Sequence, residues 1–378
     1  MNISNRGRAS LPFVRVKLNK SSKHRVRAFS GIRPDSFRLV QVHAMTNKIG
    51  LLADPQYGSI PDAVSPDVSS GEERVQRYRL ALEKTREALA RMHDCAWVVN
   101  LGDIIQSDKT QTEADIEADF DAICSVFEAD AHQKVLHALG NHCIGRLQRE
   151  DVCRRLGIPL QTVSPFLSCF LGPPTSTSYY AHMISEAWML IVLDTTEMSG
   201  HSGYHVRSRP AREAAAYLKH HPVDVEPHMI PWNGGCTQRQ LKWLKSQLNK
   251  AAKDDVLVIV ASHHPIHGGA ARPSHLAWNH SEILSIVNAS PNVRLVLSGH
   301  DHLGGACRQS CGRVSQLYVT LPAILEAAID GTEYLVLDLE ELARCTAGPD
   351  VGSSNMVLSA GEKSRCLLEG ALGSPENH

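Results

Sequence analysis

Five short apolar runs in this 378-residue chain each end on residues that can hold a metal ion, and that repetition limits the fold more than any other feature. Ile49–Ala53 runs into Asp54-Pro55-Gln56, Trp97–Leu101 into Gly102-Asp103, and Val135–Leu139 into Gly140-Asn141-His142. Val256–Ser262 runs into His263-His264-Pro265, and Val293–Ser298 into Gly299-His300-Asp301-His302. With Met189–Leu193, these runs are continuous and rich in β-branched residues, which predicts strands covered on both faces. Between them lie stretches with apolar residues three, four and seven apart. One carries Val75, Tyr78, Leu82, Leu89 and Met92, a second Ile116, Phe120, Ile123 and Phe127, and a third Leu241, Leu244 and Leu248. Those spacings predict helices packed on a sheet. The alternation implies an α/β fold, and ligands of open α/β sheets gather outside the carboxyl ends of the strands.

Each motif alone has an ordinary explanation. An Asp after a strand serves as a turn residue or helix cap, and Gly-Asn-His is a common turn. His-Xaa-His places two rings on one side of a strand, which a surface pair also does. Turn chemistry acting independently would not select metal-ligand types at all five strand ends. Asp, Asn, Gln and imidazole without thiolate suit borderline or hard divalent ions, of which Mn²⁺, Zn²⁺ and Fe²⁺ are the candidates. Asp54, Gln56, Asp103, Asn141, His263, His300 and His302 exceed what one ion needs. Two ions sharing a carboxylate is therefore expected, and Asp103 is the best bridge because a carboxylate has lone pairs for both. Such a pair can clamp a phosphate.

Charge adds a second constraint. Residues 1–40 hold ten Lys or Arg and one acid, Asp35; taken from totals of 39 and 40, these leave 29 bases against 39 acids. An acidic body argues against a nucleic-acid surface, and an acidic enzyme handling phosphates must supply positive charge locally, as metal ions do. No apolar run approaches the length of a bilayer span. The basic, Ser-rich leader (1–45) has the composition of an organelle transit segment or of a solvated tail, so the location is cytoplasmic or organellar. The ten cysteines form no CxxC pair, which suits free thiols in a reducing compartment, and Cys307 and Cys311 fall at a hairpin tip. Gly145–His182 and Met198–Gly235 read as irregular insertions at a functional rim. The catalytic domain is expected over 46–340, with a poorly ordered tail over 341–378.

The order DxQ, GD, GNH, His-Xaa-Pro and GHxH, spanning roughly Asn47 to Leu339, resembles the calcineurin-like metallophosphoesterase superfamily. Gln56 in the first motif resembles one member family in particular, the manganese-dependent ADP-ribose/CDP-alcohol diphosphatases. So do Trp232-Asn233-Gly234-Gly235 with Gln238-Xaa-Gln240-Leu241-Xaa-Trp243-Leu244, and so do Leu276-Ala277-Trp278-Asn279 and His300-Asp301-His302-Leu303-Gly304-Gly305. The resemblance implies two packed β-sheets flanked by helices, with a dimetal site at strand C-terminal ends. It implies one metal held by Asp54, Gln56, Asp103 and His302, and a second by Asp103, Asn141, His263 and His300. His142 would bind the scissile phosphate or help the leaving group depart. Mn²⁺ would be the active ion, and the substrate a small nucleoside diphosphate derivative. Gln106 and Cys143 stand where relatives carry acids. Gly102–Asp108 has no Arg to grip a phosphoserine, which disfavours a protein phosphatase. A cyclic-nucleotide phosphodiesterase is the rival enzyme, and a scaffold without catalysis the rival from another class.

Overall fold

The computed structural model describes residues 47–60, 77–130, 132–162, 176–348 and 356–373. The leader and Val75 lie outside them. In chain order the main elements are β1 (Lys48–Leu52), α1 (Arg77–Arg91), β2 (Trp97–Asn100), α2 (Glu113–Phe127), β3 (Lys134–His137) and α3 (Arg149–Arg155). They continue as β4 (Tyr180–Met183), β5 (Trp188–Val192), α4 (Arg209–His220), α5 (Gln238–Lys253), β6 (Leu257–Ala261), α6 (His280–Asn288) and β7 (Val293–Ser298). Last come β8 (Gly305–Cys311), β9 (Val314–Thr320), β10 (Leu335–Asp338), α7 (Leu339–Cys345), β11 (Val357–Ala360) and α8 (Glu362–Gly373). All six apolar runs are strands.

Two sheets result. One has the order β11-β10-β1-β2-β3, the other β8-β9-β7-β6-β5-β4. The strands that carry the motifs are parallel, β1 to β2 to β3 and β6 to β7, so their carboxyl ends point one way in each sheet. Successive residues of a strand face opposite sides. Ile259 and Leu295 of the second sheet join Ile49, Leu51 and Val99 of the first in one core. Val258, Val260 and Val296 face the other way, onto Leu241, Leu244 and Leu248 of α5 and Ile283 and Val287 of α6. Side-chain caps start several of the helices. Thr112 and Asp115 form a reciprocal capping box on α2, and Thr237 accepts from Gln240 N on α5.

Two expectations are corrected. The tail is ordered at 341–348 and 356–373: β11 pairs with β10, and Leu368 of α8 is buried. The Glu333 carboxylate holds the start of α8 by accepting from Lys363 N, Ser364 N and Ser364 Oγ. The catalytic sheet therefore includes residues beyond 340. The stretch Met198–Gly235 contains a regular helix, α4, capped by Ser208 with Pro in its first turn. All nine cysteines among the described residues are free thiols, and no helix there is long and apolar enough to cross a membrane.

Candidate metal centre

Each candidate ligand follows a strand, and the backbone turns sharply as the strand ends. Asp54, Gln56, Asp103 and His300 have φ of 50°, 48°, 48° and 68°, four of the five non-glycine residues with positive φ among those described. Such conformations cost of order 1–3 kcal/mol each and persist where the surroundings fix them. Here they are fixed by cross-strand bonds: Asp54 N donates to Gly102 O and Gln56 N to Asp103 O at 2.8 Å. His300 N donates to the Asp54 carboxylate at 3.0 Å. The glycines of the motifs allow backbone to approach the carboxylates. A Cβ on Gly140 would sit 2.0 Å from Asp103 Oδ1, and one on Gly299 would sit 2.4 Å from Asp54 Oδ2.

Sheet packing brings most of the predicted residues together. His263 Nε2 lies 3.1 Å from Asp103 Oδ2, 3.0 Å from Asn141 Oδ1 and 3.2 Å from His300 Nδ1. The Gln56 amide is 3.5 Å from Asp103 Oδ2. Asp54, Asp103 and His263 each present a ligand atom within 4.8 Å of the others. His302 stands at the edge, with Nδ1 3.5 Å from Glu326 Oε1.

The placement of protons shows what this cluster is built for. His263 Nδ1 faces the Leu101 carbonyl at 2.9 Å, which only accepts, so Nδ1 carries a proton and Nε2 is the nitrogen turned to the cluster. Asn233 Nδ2 donates to the carbonyls of His228, Ser274 and Leu276. That fixes the amide with Oδ1 toward His300 Nε2, 2.7 Å away. His300 therefore donates from Nε2 and keeps its lone pair on Nδ1. His263 Nε2, His300 Nδ1, Asn141 Oδ1 and Asp103 Oδ2 converge, with the Gln56 amide 3.5 Å from Asp103 Oδ2. A cation is what such a set accommodates, and the described ion-pair partners of the two carboxylates are imidazoles only.

The ionisation of these groups follows. Burial pushes the Asp54 carboxyl up to about 6, against His263 and His302. Burial also opposes ionisation of Asp103, yet His263 and His142 hold it below the usual carboxylate range. His263 resists charging through burial, but Asp103 and Asp54 lift it to about 9. Burial, with His264 and His263 adding to it, drives His300 far down. Positive charge is favoured at the point where the acceptors meet, whether a proton or a metal ion supplies it.

His142 donates its backbone N–H to Asp103 Oδ1 at 2.8 Å, and its ring, 36% exposed, lies with Nε2 4.0 Å from Asp103 Oδ2. It lines a cavity of about 470 Å³. His264 has ring atoms close to His263 and His300, but both its nitrogens are engaged. Nε2 donates to the Trp232 carbonyl at 3.2 Å, and Nδ1 accepts from Thr195 Oγ1 at 2.8 Å.

Three supporting roles were not assigned from the sequence. Asn233 orients His300, and its only sequence signal is the Trp-Asn-Gly-Gly motif. Glu326 faces His302 and is itself held by Arg77 Nη1 at 2.9 Å; nothing near it in sequence marks it. His264 fixes the Trp232 carbonyl. Partners of this kind set the tautomer and orientation of metal-binding rings.

The sequence profile of the calcineurin-like phosphoesterases matches residues 48–304. A manganese-dependent ADP-ribose/CDP-alcohol diphosphatase of Danio rerio is 31% identical over 304 residues, covering 73% of this chain and 87% of that protein. One from Arabidopsis thaliana is 30% identical over 271 residues, covering 68% and 80%. The crystal structure of a dimetal phosphatase from Danio rerio superposes with a TM-score of 0.63 at 24% identity, over 77% of this chain and 92% of that one. That likeness bears on the fold.

Proposed function

The chain belongs to the calcineurin-like phosphoesterases and, within them, to the manganese-dependent ADP-ribose/CDP-alcohol diphosphatase family, and from that premise we propose that it cleaves the phosphoanhydride of ADP-ribose and CDP-alcohols. The products are a nucleoside monophosphate and a phosphorylated sugar or alcohol. The observation that carries this reading is the convergence of Asp103 Oδ2, Asn141 Oδ1 and His300 Nδ1 within 3.2 Å of His263 Nε2.

Asp54, Gln56, Asp103 and His302 would hold one divalent ion, and Asp103, Asn141, His263 and His300 the other. Three imidazoles favour Mn²⁺ over Mg²⁺, which prefers oxygen ligands and retains water. When bound, the pair supplies charge neutralisation at the phosphate oxygens and an acidified water. The residues do the positioning. Asn233 keeps the lone pair of His300 turned inward, and Leu101 O keeps Nε2 of His263 turned to the cluster. His142, held over Asp103 by its own backbone N–H, faces the cavity where the scissile phosphate would lie, and its ring can donate a hydrogen bond to that phosphate. The leader, 1–45, is taken to be dispensable for this chemistry, and the chain to act in the cytoplasm or in an organelle.

Turnover of ADP-ribose, CDP-choline and cyclic AMP by chelated protein, with and without added Mn²⁺, tests the reading. Cleavage of the first two that requires Mn²⁺ is expected. Full activity after exhaustive chelation would exclude the metal, and ready cleavage of cyclic AMP alone would exclude the diphosphatase.

A further inference from the structure

The cavity of about 470 Å³ beside the metal centre has Asn141 and His142 on one side and Lys109, Arg146, His201 and Trp232 around the rest. We propose that it is a two-part substrate subsite. In it the Trp232 ring stacks on the nucleobase, and Arg146 with Lys109 takes the second phosphate. This rests on the diphosphatase reading and goes beyond it by naming the groups that recognise the substrate.

Trp232 is 50% exposed, although the residues that follow it, Asn233 to Thr237, are buried. Its backbone is tied to the metal centre on two sides. Its carbonyl accepts from His264 Nε2, and His264 directly follows the ligand candidate His263. The next residue, Asn233, is fully buried and bonds His300 Nε2 at 2.7 Å. The backbone that carries the ring is thus fixed relative to His263 and His300, and pre-organisation of this kind lowers the cost of binding. An aromatic face stacks with any nucleobase, which suits substrates that carry adenine or cytosine.

Arg146 is pre-set in a different way. Nη1 donates to Asp108 O at 2.5 Å and Nη2 to Gln111 O at 3.2 Å, so two of five N–H donors hold the guanidinium in place and the others are free in direction for a ligand. Asp108 also lines the cavity, but its Oδ1 accepts from Thr110 N and Thr110 Oγ1. In a body with an excess of acids, these two cations beside His142 supply local positive charge where a diphosphate has its second phosphate, and a guanidinium matches phosphate geometry.

Steady-state kinetics of the full chain with saturating Mn²⁺ test this with three probes. ADP-ribose has a base and two phosphates, a dialkyl diphosphate has no base, and a dialkyl monophosphate diester has neither base nor second phosphate. Trp232→Ala should raise KM for ADP-ribose about tenfold or more, leave kcat within about threefold, and leave KM for the dialkyl diphosphate unchanged. Arg146→Gln should raise KM for both diphosphates and not for the diester. Equal effects on all probes would reduce the two residues to structural roles and overturn the subsite, as would KM values unchanged on ADP-ribose. A parent that fails to cleave ADP-ribose would overturn the diphosphatase reading itself, a result visible before any variant is made.

Discussion

Gly140→Ala adds one methyl to the metal centre without changing a charge or a ligand. The new Cβ would stand 2.0 Å from Asp103 Oδ1 and 2.3 Å from Asp103 N, distances that real Cβ atoms do not adopt. Something must move by about 1 Å, because the interior is close-packed and rigid on that scale. The carboxylate cannot simply rotate away. Its Oδ1 receives the His142 N–H at 2.8 Å, and its Oδ2 lies 3.1 Å from His263 Nε2. Asp103 is also the residue proposed to serve both ions, so one displacement disturbs two sites. A misplacement of about 1 Å in a catalytic array costs roughly 10²-fold in rate, and overpacking of a filled core costs about 1–3 kcal/mol in stability. Gly140→Ala should thus lower turnover of ADP-ribose about a hundredfold, bind less Mn²⁺ per chain, and unfold at lower urea.

Gly268→Ala is the matched control, since its nearest atom beyond the chain neighbours is Leu276 Cδ1 at 3.9 Å. It should behave as the parent within about twofold, being an ordinary contact distance. Turnover, metal content by elemental analysis and urea midpoints are measured on all three proteins. A folded Gly140→Ala with parental metal content and turnover within threefold would refute the placement of Asp103 and the reasoning built on it.

Three further outcomes are expected. His142→Ala should slow an unactivated alkyl phosphodiester more than a diphosphate. An alkoxide leaving group needs a proton and a phosphate monoester does not; equal fractional losses at equal metal occupancy would remove the proton-donor role. Arg149 is fully buried and its guanidinium donates to Asp194, Ser178, Ser202 and Thr196. Arg149→Met should cost about 3–5 kcal/mol by stranding the Asp194 carboxylate, read from urea unfolding at pH 7. His137 is buried, and burial presses its pKa down to about 3, so between about pH 6.5 and 3 the unfolded chain binds a proton the folded one does not. Stability is therefore intact above pH 6.5 and lost as pH falls, by about 2 kcal/mol at pH 5. His137→Gln should flatten that slope in urea titrations at pH 5 and 7, and an unchanged slope would rule His137 out as its source.

How much of this was legible in the sequence depended on how far each signal reached along the chain. The strands were legible because continuous apolar runs such as Val256–Ala261 owe their burial to helices on one side and a second sheet on the other. The first helix is less legible in its apolar spacing. Its buried face is made by Ala81, Lys84, Thr85, Ala88 and Leu89, while Tyr78 and Leu82 are only half-buried. Lys84 is inside because its ammonium donates to Ala327 O, 243 residues away, and no local periodicity encodes that. The helix Arg209–His220 was hidden by its Arg, Pro and His content, although Ser208 before Arg209-Pro210 is a start signal of a recognisable kind. The ordered C-terminal segment was hidden by its Gly- and Ser-rich approach, since its anchor, Glu333, lies in an earlier loop.

The metal centre shows the same division between residues that name themselves and residues that work through others. Asp54, Asp103, Asn141, His263 and His300 could be picked out because each sits at the end of a strand and has the chemistry of a ligand. The glycines before three of them could be seen but not explained. Only the folded chain shows that Gly140 and Gly299 leave room for the carboxylates of residues far away in sequence. Asn233, Leu101 and Glu326 could not be found by residue type, because their task is to decide which nitrogen of an imidazole carries the proton. That decision rests on three carbonyls that lock the Asn233 amide, one carbonyl at the end of β2, and one carboxylate held by Arg77. With the inner nitrogens of His263 and His300 turned toward Asp103 and Asn141, the centre gathers ligand atoms within 3.2 Å of His263 Nε2. The left-handed backbone at four ligand positions is the local strain the fold carries to bring them there.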